Sequence, residues 1–126
     1  MKIAIVNYGC GNIASICNML QHLSVEADVV DSPECLSFYD MLILPGVGHF
    51  NQGMKNIISK GFKDPLDFFA HSGKPILGIC LGMQLMTARS EEGGAGLGWF
   101  SCETKRFKST LYNGDKLLIP HMGWNY

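Results

Sequence analysis

A chain of 126 residues that is 47% hydrophobic and 17% charged is long enough for one domain with a real core. Its formal net charge of -1 gives no electrostatic case for nucleic acid or an anionic membrane as partner. Five cysteines, an odd number with no Cys-x-x-Cys spacing, argue against a disulfide scaffold or a zinc site and for a reducing compartment.

In chain order, Lys2–Asn7 is β-branched with little alternation, as in a strand buried on both faces. Tyr8-Gly9-Cys10-Gly11-Asn12 is a turn, after which Ile13, Ile16, Cys17 and Leu20 recur at helical spacing through about Leu23. Val25–Val30 reads as a second strand stopped by Asp31-Ser32-Pro33, and Met41–Leu44 as a third that ends in Pro45-Gly46-Val47-Gly48. Met54, Ile57 and Ile58 mark a helix, and Asp64-Pro65 opens another carrying Leu66, Phe68 and Phe69, with Asp64 as its N-cap. A short apolar strand follows the Gly73/Pro75 break, then a helix with Leu81, Leu85 and Ala88 on one face. Glu91–Gly98 is a glycine-rich loop, and Trp99–Phe107 and Lys116–Pro120 read as shorter strands around an Asn113-Gly114 turn. No apolar run is long enough to span a bilayer, and Lys2 followed by Ile3–Val6 is too brief for a signal peptide, so a soluble cytoplasmic chain is expected. Strands alternating with helices predict a single α/β domain over 1–126, an open, mostly parallel sheet flanked by helices. Ligand chemistry is then expected beyond the C-terminal strand ends. The loops at 9–11, 46–48 and 78–82 all fall at such ends.

The densest chemistry lies in Gly78-Ile79-Cys80-Leu81-Gly82. A lone cysteine in an apolar run is ordinarily an inert packing residue. Here glycines stand two positions before and after it on a strand-to-helix switch, which is the nucleophile-elbow pattern with sulfur in place of oxygen. Such a bend forces the central residue into a strained backbone conformation and projects its side chain outward. It also sets the sulfur at a helix N-terminus, where thiolate is favoured, so acyl transfer through a thioester is the expected chemistry. The carbonyl oxygen then gains negative charge that backbone N–H groups must meet. One donor is the amide of Leu81, directly after the nucleophile; the second is expected from the 45–48 loop, Val47 or Gly48. Gln84, one helical turn beyond Cys80, faces the same pocket.

Gly78-Ile79-Cys80-Leu81-Gly82-Met83-Gln84 resembles the nucleophile segment of class I glutamine amidotransferases. Pro45-Gly46-Val47-Gly48 is similar to the form found in the glutaminase subunits of imidazole glycerol phosphate synthase, and so is Pro120-His121-Met122-Gly123-Trp124-Asn125. The resemblance implies hydrolysis of glutamine without metal or organic cofactor, and delivery of ammonia to a (β/α)8-barrel cyclase subunit in histidine biosynthesis. It also implies that the Val47 amide rotates into place under the partner's control. Gln84 and Glu92 (Glu91 as the fallback) would hold glutamine, and Met122 and Trp124 would face the partner. The family's catalytic histidine is followed two residues later by glutamate. His22, His49, His71 and His121 are followed at that position by Ser24, Asn51, Gly73 and Gly123. The family's C-terminal portion thus has no counterpart here: either the chain is a truncated form or its catalytic partners come from elsewhere. Little or no glutamine turnover by these residues alone is expected.

Three other readings stand beside this one. Gly96-Leu97-Gly98-Trp99 and Lys105-Arg106-Phe107 also resemble paralogous amidotransferase subunits that form amidines on surface sugars. From a different class, Gly9-Cys10-Gly11-Asn12-Ile13-Ala14 with Asp31 twenty residues past Gly11 matches a dinucleotide fingerprint. A catalytically dead subunit that only regulates its partner is the third.

Overall fold

The computed structural model describes residues 1–110, 113–116, 118–120 and 122–124; the expectations that fall on His121 and Asn125 lie outside them. Four short strands, β1 (Ile3–Val6), β2 (Asp28–Val30), β3 (Met41–Leu44) and β4 (Ile76–Gly78), form a parallel sheet in the order β2-β1-β3-β4. Side chains on a strand alternate between faces, and β1 serves both. Ile3 and Ile5 pack with Ile43 under helix α1 (Ile13–His22). Ala4 and Val6 join Leu42 and Leu44 in the larger core, under α2 (Phe50–Ser59), α3 (Lys63–His71) and α4 (Leu81–Leu85). Phe50, Phe62 and Phe69 are buried there, each aromatic ring contributing roughly 2–3 kcal/mol by leaving water. A second, two-stranded parallel ribbon, β5 (Thr87–Ser90) and β6 (Phe100–Thr104), follows α4. Trp99 ties it to α3 by donating to the Asp67 carboxylate at 2.8 Å.

The sheet and its helices follow the sequence pattern, with four differences. The second strand is only Asp28–Val30; Val25 and Ala27 pack against the α1 face without pairing. A 3-10 segment, Pro33–Phe38, fills the stretch before β3 and buries Leu36. Helix α3 starts one residue before Asp64, with Phe62 rather than Asp64 at the cap, because the buried Phe62 ring fixes the entry and its amide is held by the Ile57 carbonyl at 2.9 Å. Helix α4 stops at Leu85, so Ala88 lies on β5 and not on the helix. Its last carbonyls are taken by later groups: Thr87 Oγ1 donates to Gln84 at 2.7 Å and the Leu97 amide to Leu85 at 2.7 Å. The expected strand at Lys116–Pro120 is represented, among the described residues, by one antiparallel bridge from Lys116 to Thr110 across the Asn113-Gly114 turn.

Candidate active site at the β4–α4 bend

All four sheet strands run the same way, so the loops after β1, β3 and β4 share one rim. The ladder between β3 and β4 continues one bond past the strands, from the Ile79 amide to the Leu44 carbonyl at 3.0 Å. Cys80 then turns the chain with φ 54° and ψ -117° and opens α4. A positive φ on a residue with a Cβ is costly, and it persists only where its surroundings hold it. Here those surroundings are close-packed backbone. A Cβ on Gly82 would stand 1.8 Å from the Leu44 carbonyl oxygen, and one on Gly78 2.7 Å from the Met83 Cα. The two flanking glycines are required because strand, bend and helix touch main chain to main chain. Cys80 is a free cysteine, exposed on the rim.

The loop after β3 lies directly against the bend. Pro45 and Gly46 are buried, and Val47 and Gly48 are exposed. A Cβ on Gly46 would meet Tyr8 Oη at 2.5 Å, Leu81 Cβ at 2.7 Å and Gly82 N at 2.8 Å. The Leu81 amide donates to the Gly46 carbonyl at 3.3 Å. Carbonyl and N–H of one planar trans peptide point in opposite directions, so the Val47 N–H, which belongs to the same peptide, is aimed away from Leu81. Gly48 follows with φ 114° and open space around it. Of the expected oxyanion donors, Leu81 and Val47 are therefore adjacent but not convergent here: the Leu81 donor is occupied by Gly46.

Upstream of this loop, Tyr8 is fully buried and its hydroxyl donates to the Pro45 carbonyl at 2.7 Å. Burial first, then the neighbouring Cys10 and Cys80, push its ionisation far above the usual tyrosine range. Downstream, Glu92 closes the loop. Its carboxylate accepts from the Phe50 amide at the start of α2 at 2.9 Å and lies 3.6 Å from His49 Nδ1. Asn51 donates to the Glu92 carbonyl at 3.2 Å. Glu91 accepts from the Arg106 amide at 2.8 Å.

Gln84 and Glu92 line one cleft of about 700 Å³, with Ser90, Glu91, Lys105 and Arg106. Its lining thus holds two carboxylates, Glu91 and Glu92, and two cations, Lys105 and Arg106. Cys80 does not line this cleft; Gln84 is joined to it through the helix backbone, its amide donating to the Cys80 carbonyl at 3.1 Å. Met122 and Trp124 are 88% and 90% exposed, which leaves large apolar surface without cover among the described residues. Of the described histidines, His71 meets the Asp67 carbonyl at 2.7 Å, and His49 follows the 45–48 loop and faces Glu92. No group of three metal-ligating side chains occurs among the described residues. Nor is any helix among them long and apolar enough to cross a membrane.

Sequence reasoning missed Tyr8 and the capping use of Glu92. A tyrosine closing a fully buried strand carried a usable signal, since its hydroxyl must find a partner inside. The Gly9–Asn12 loop does not open a groove: Gly11 packs against the Pro45 ring, and Asn12 caps α1 by accepting from the Ser15 amide at 3.2 Å.

Comparison with known proteins gives a consistent picture. The family profile "Glutamine amidotransferase class-I" matches residues 4–126. The chain is 42% identical over 126 residues to imidazole glycerol phosphate synthase subunit HisH 1 of Legionella pneumophila (strain Lens), covering 98% of this chain and 59% of that protein. It is 47% identical to subunit HisH 2 of Methanococcus maripaludis, with 98% and 60% covered. For subunit HisH of Wolinella succinogenes the identity is 46%, again with 98% and 60% covered. The chain thus spans about three-fifths of the length of the curated relatives it matches. A solved structure described as that of a glutamine amidotransferase superposes with a TM-score of 0.71 at 21% identity, covering 82% of this chain and 56% of that one.

Proposed function

The chain belongs to the class-I glutamine amidotransferase family, and from that premise we propose that it carries the glutamine site of an imidazole glycerol phosphate synthase subunit. The observation that carries this reading is the exposed Cys80 at φ 54°, at the bend packed against the 45–48 loop. Glutamine lies in the cleft with its α-ammonium toward Glu92 and its side-chain amide at the bend, Gln84 alongside. The Cys80 sulfur forms a bond to the amide carbon as its thiol proton passes to a base outside the described residues, and the C=O electron pair moves to oxygen. The Leu81 N–H, once released from Gly46, and the Val47 N–H, once its peptide has turned, receive that charge. Collapse expels nitrogen, which takes back the proton lost by the thiol and leaves as ammonia, and a thioester remains on Cys80. Water then releases glutamate and restores the thiol.

Because Leu81 is paired with Gly46 at rest, the site is held in a low-activity state. Ammonia is wasted unless an acceptor is ready, so a cyclase subunit docked over the rim is the natural trigger. The exposed Met122 and Trp124 offer it apolar anchors, residue types enriched in interface cores. The dinucleotide alternative loses its ground with the family assignment.

Mass spectrometry after treatment with a chloromethyl ketone analogue of glutamine tests the reading. One covalent adduct on Cys80, absent in Cys80→Ala and blocked by excess glutamine, is expected. A wild-type chain that stays unmodified, while a small thiol reagent still reaches Cys80, rules it out and leaves a non-catalytic role.

A further inference from the structure

We propose that Tyr8 is a positioning residue for the oxyanion peptide, an inference that rests on the glutaminase reading above. Turning the Gly46–Val47 peptide places the Val47 N–H usefully only if the peptides on either side stay fixed. Downstream, the Phe50 amide is held by Glu92 at 2.9 Å. Upstream, the link is Tyr8. Its ring is locked in the core with no exposed surface, and its hydroxyl holds the Pro45 carbonyl at 2.7 Å. That carbonyl belongs to the Pro45–Gly46 peptide, immediately before the one that must turn. The same hydroxyl stands 2.5 Å from where a Gly46 Cβ would be, so it sits directly beside the pivot atom. Between these two anchors, Gly46 has no side chain, and Gly48 adopts φ 114° with nothing near it. Rotation is confined to the few bonds in that interval, so the turned N–H reaches the same place each time. Without the hydroxyl, the Pro45–Gly46 peptide swings with its neighbour and the donor is delivered off target. Oxyanion stabilisation depends steeply on donor geometry.

The test compares wild type, Tyr8→Phe, Val47→Pro and the double variant with two reagents. The chloromethyl ketone analogue of glutamine places a carbonyl at the bend, and a C–S bond forms as chloride leaves. Methyl methanethiosulfonate has no carbonyl and reports only thiol access, forming an S–S bond as methanesulfinate leaves. For Tyr8→Phe the expected result is ketone labelling about tenfold slower at saturation, half-saturation within about twofold of wild type, and unchanged thiosulfonate labelling. In the Val47→Pro background, where the donor is gone, the Tyr8→Phe effect disappears; a merely structural role would add to it. The proposal is overturned if Tyr8→Phe labels like wild type, if both reagents slow together, or if the effect persists in the Val47→Pro background. A wild-type chain inert to the ketone but open to the thiosulfonate overturns the glutaminase reading itself and this proposal with it.

Discussion

The Leu81 amide donates to the Gly46 carbonyl at 3.3 Å, so under the proposed mechanism a protein acceptor takes the donor that a substrate oxyanion would need. On that proposal Cys80, as nucleophile, and its electrostatic support are decoupled. Cys80 is exposed and strained into position, but the charge its attack would create has no free donor pair waiting. Exchange of one peptide's orientation converts an acceptor into a donor at that point, a large electrostatic change from a small movement.

Val47→Pro removes the N–H that the turned peptide would offer and restricts the turn itself. Labelling of Cys80 by the glutamine chloromethyl ketone is expected to fall about a hundredfold, the usual cost of one oxyanion donor. Val47 is 62% exposed, so the unfolding midpoint should hardly move. Labelling at the wild-type rate would remove the Val47 amide from the mechanism.

The bend also stores conformational strain. Cys80 at φ 54° and ψ -117° lies where glycine is at ease and other residues are not. Cys80→Gly should therefore unfold at higher urea than Cys80→Ala, by about 1 kcal/mol, while both lose all labelling. Equal midpoints for the two variants would mean that the bend carries no strain of this kind.

Much of this architecture was legible in the sequence, and the boundary of legibility has a physical cause. The parallel sheet showed in apolar runs such as Met41–Leu44, because a strand buried on both faces has no polar positions to blur it. The elbow was legible because Gly78 and Gly82 answer to backbone contacts that tolerate no other residue. Helix ends were less so: α4 stops at Leu85 because Leu97, far along the chain, takes its carbonyl, and no local pattern records that. Gln84 and Glu92 do line a common cleft, but the use of the Glu92 carboxylate as a cap on α2 is a tertiary contact across forty-two positions. The orientation of the Gly46–Val47 peptide lies further still from the sequence, since both orientations are open to the same residues.

Glu92 has two tasks in this scheme, and two substitutions separate them. Glu92→Gln keeps an oxygen for the Phe50 amide, so stability should stay within about 0.5 kcal/mol of wild type. The charge that meets the α-ammonium is lost, and half-saturation by the ketone probe should rise about tenfold. Glu92→Ala loses the cap as well and should cost about 1 kcal/mol more in urea unfolding. If Glu92→Gln binds the probe as wild type does, the amino end of the substrate is recognised elsewhere, and Glu92 is only a helix cap.

Tyr8 makes stability depend on alkaline pH in a stated direction. Its hydroxyl ionises with an ordinary value of 10.0 in the unfolded chain and well above that in the fold, chiefly because burial penalises the phenolate and secondarily because Cys10 and Cys80 stand near. Below 10.0 both states keep the proton and the contribution is fully present. As pH rises past that value, the unfolded chain loses a proton that the folded chain retains, so unfolding gains driving force with each further step. Stability should fall with a slope approaching 1.4 kcal/mol per pH unit from this one group, roughly the free energy of one pKa unit. Tyr8→Phe removes that slope while lowering stability at neutral pH by about 1–3 kcal/mol, because the buried Pro45 carbonyl loses its donor. Urea titrations of the two proteins between neutral pH and pH of about 11 measure both effects, the other tyrosines contributing equally to each curve. Parallel curves would mean that Tyr8 ionises freely in the fold and that its bond to Pro45 does not hold the loop.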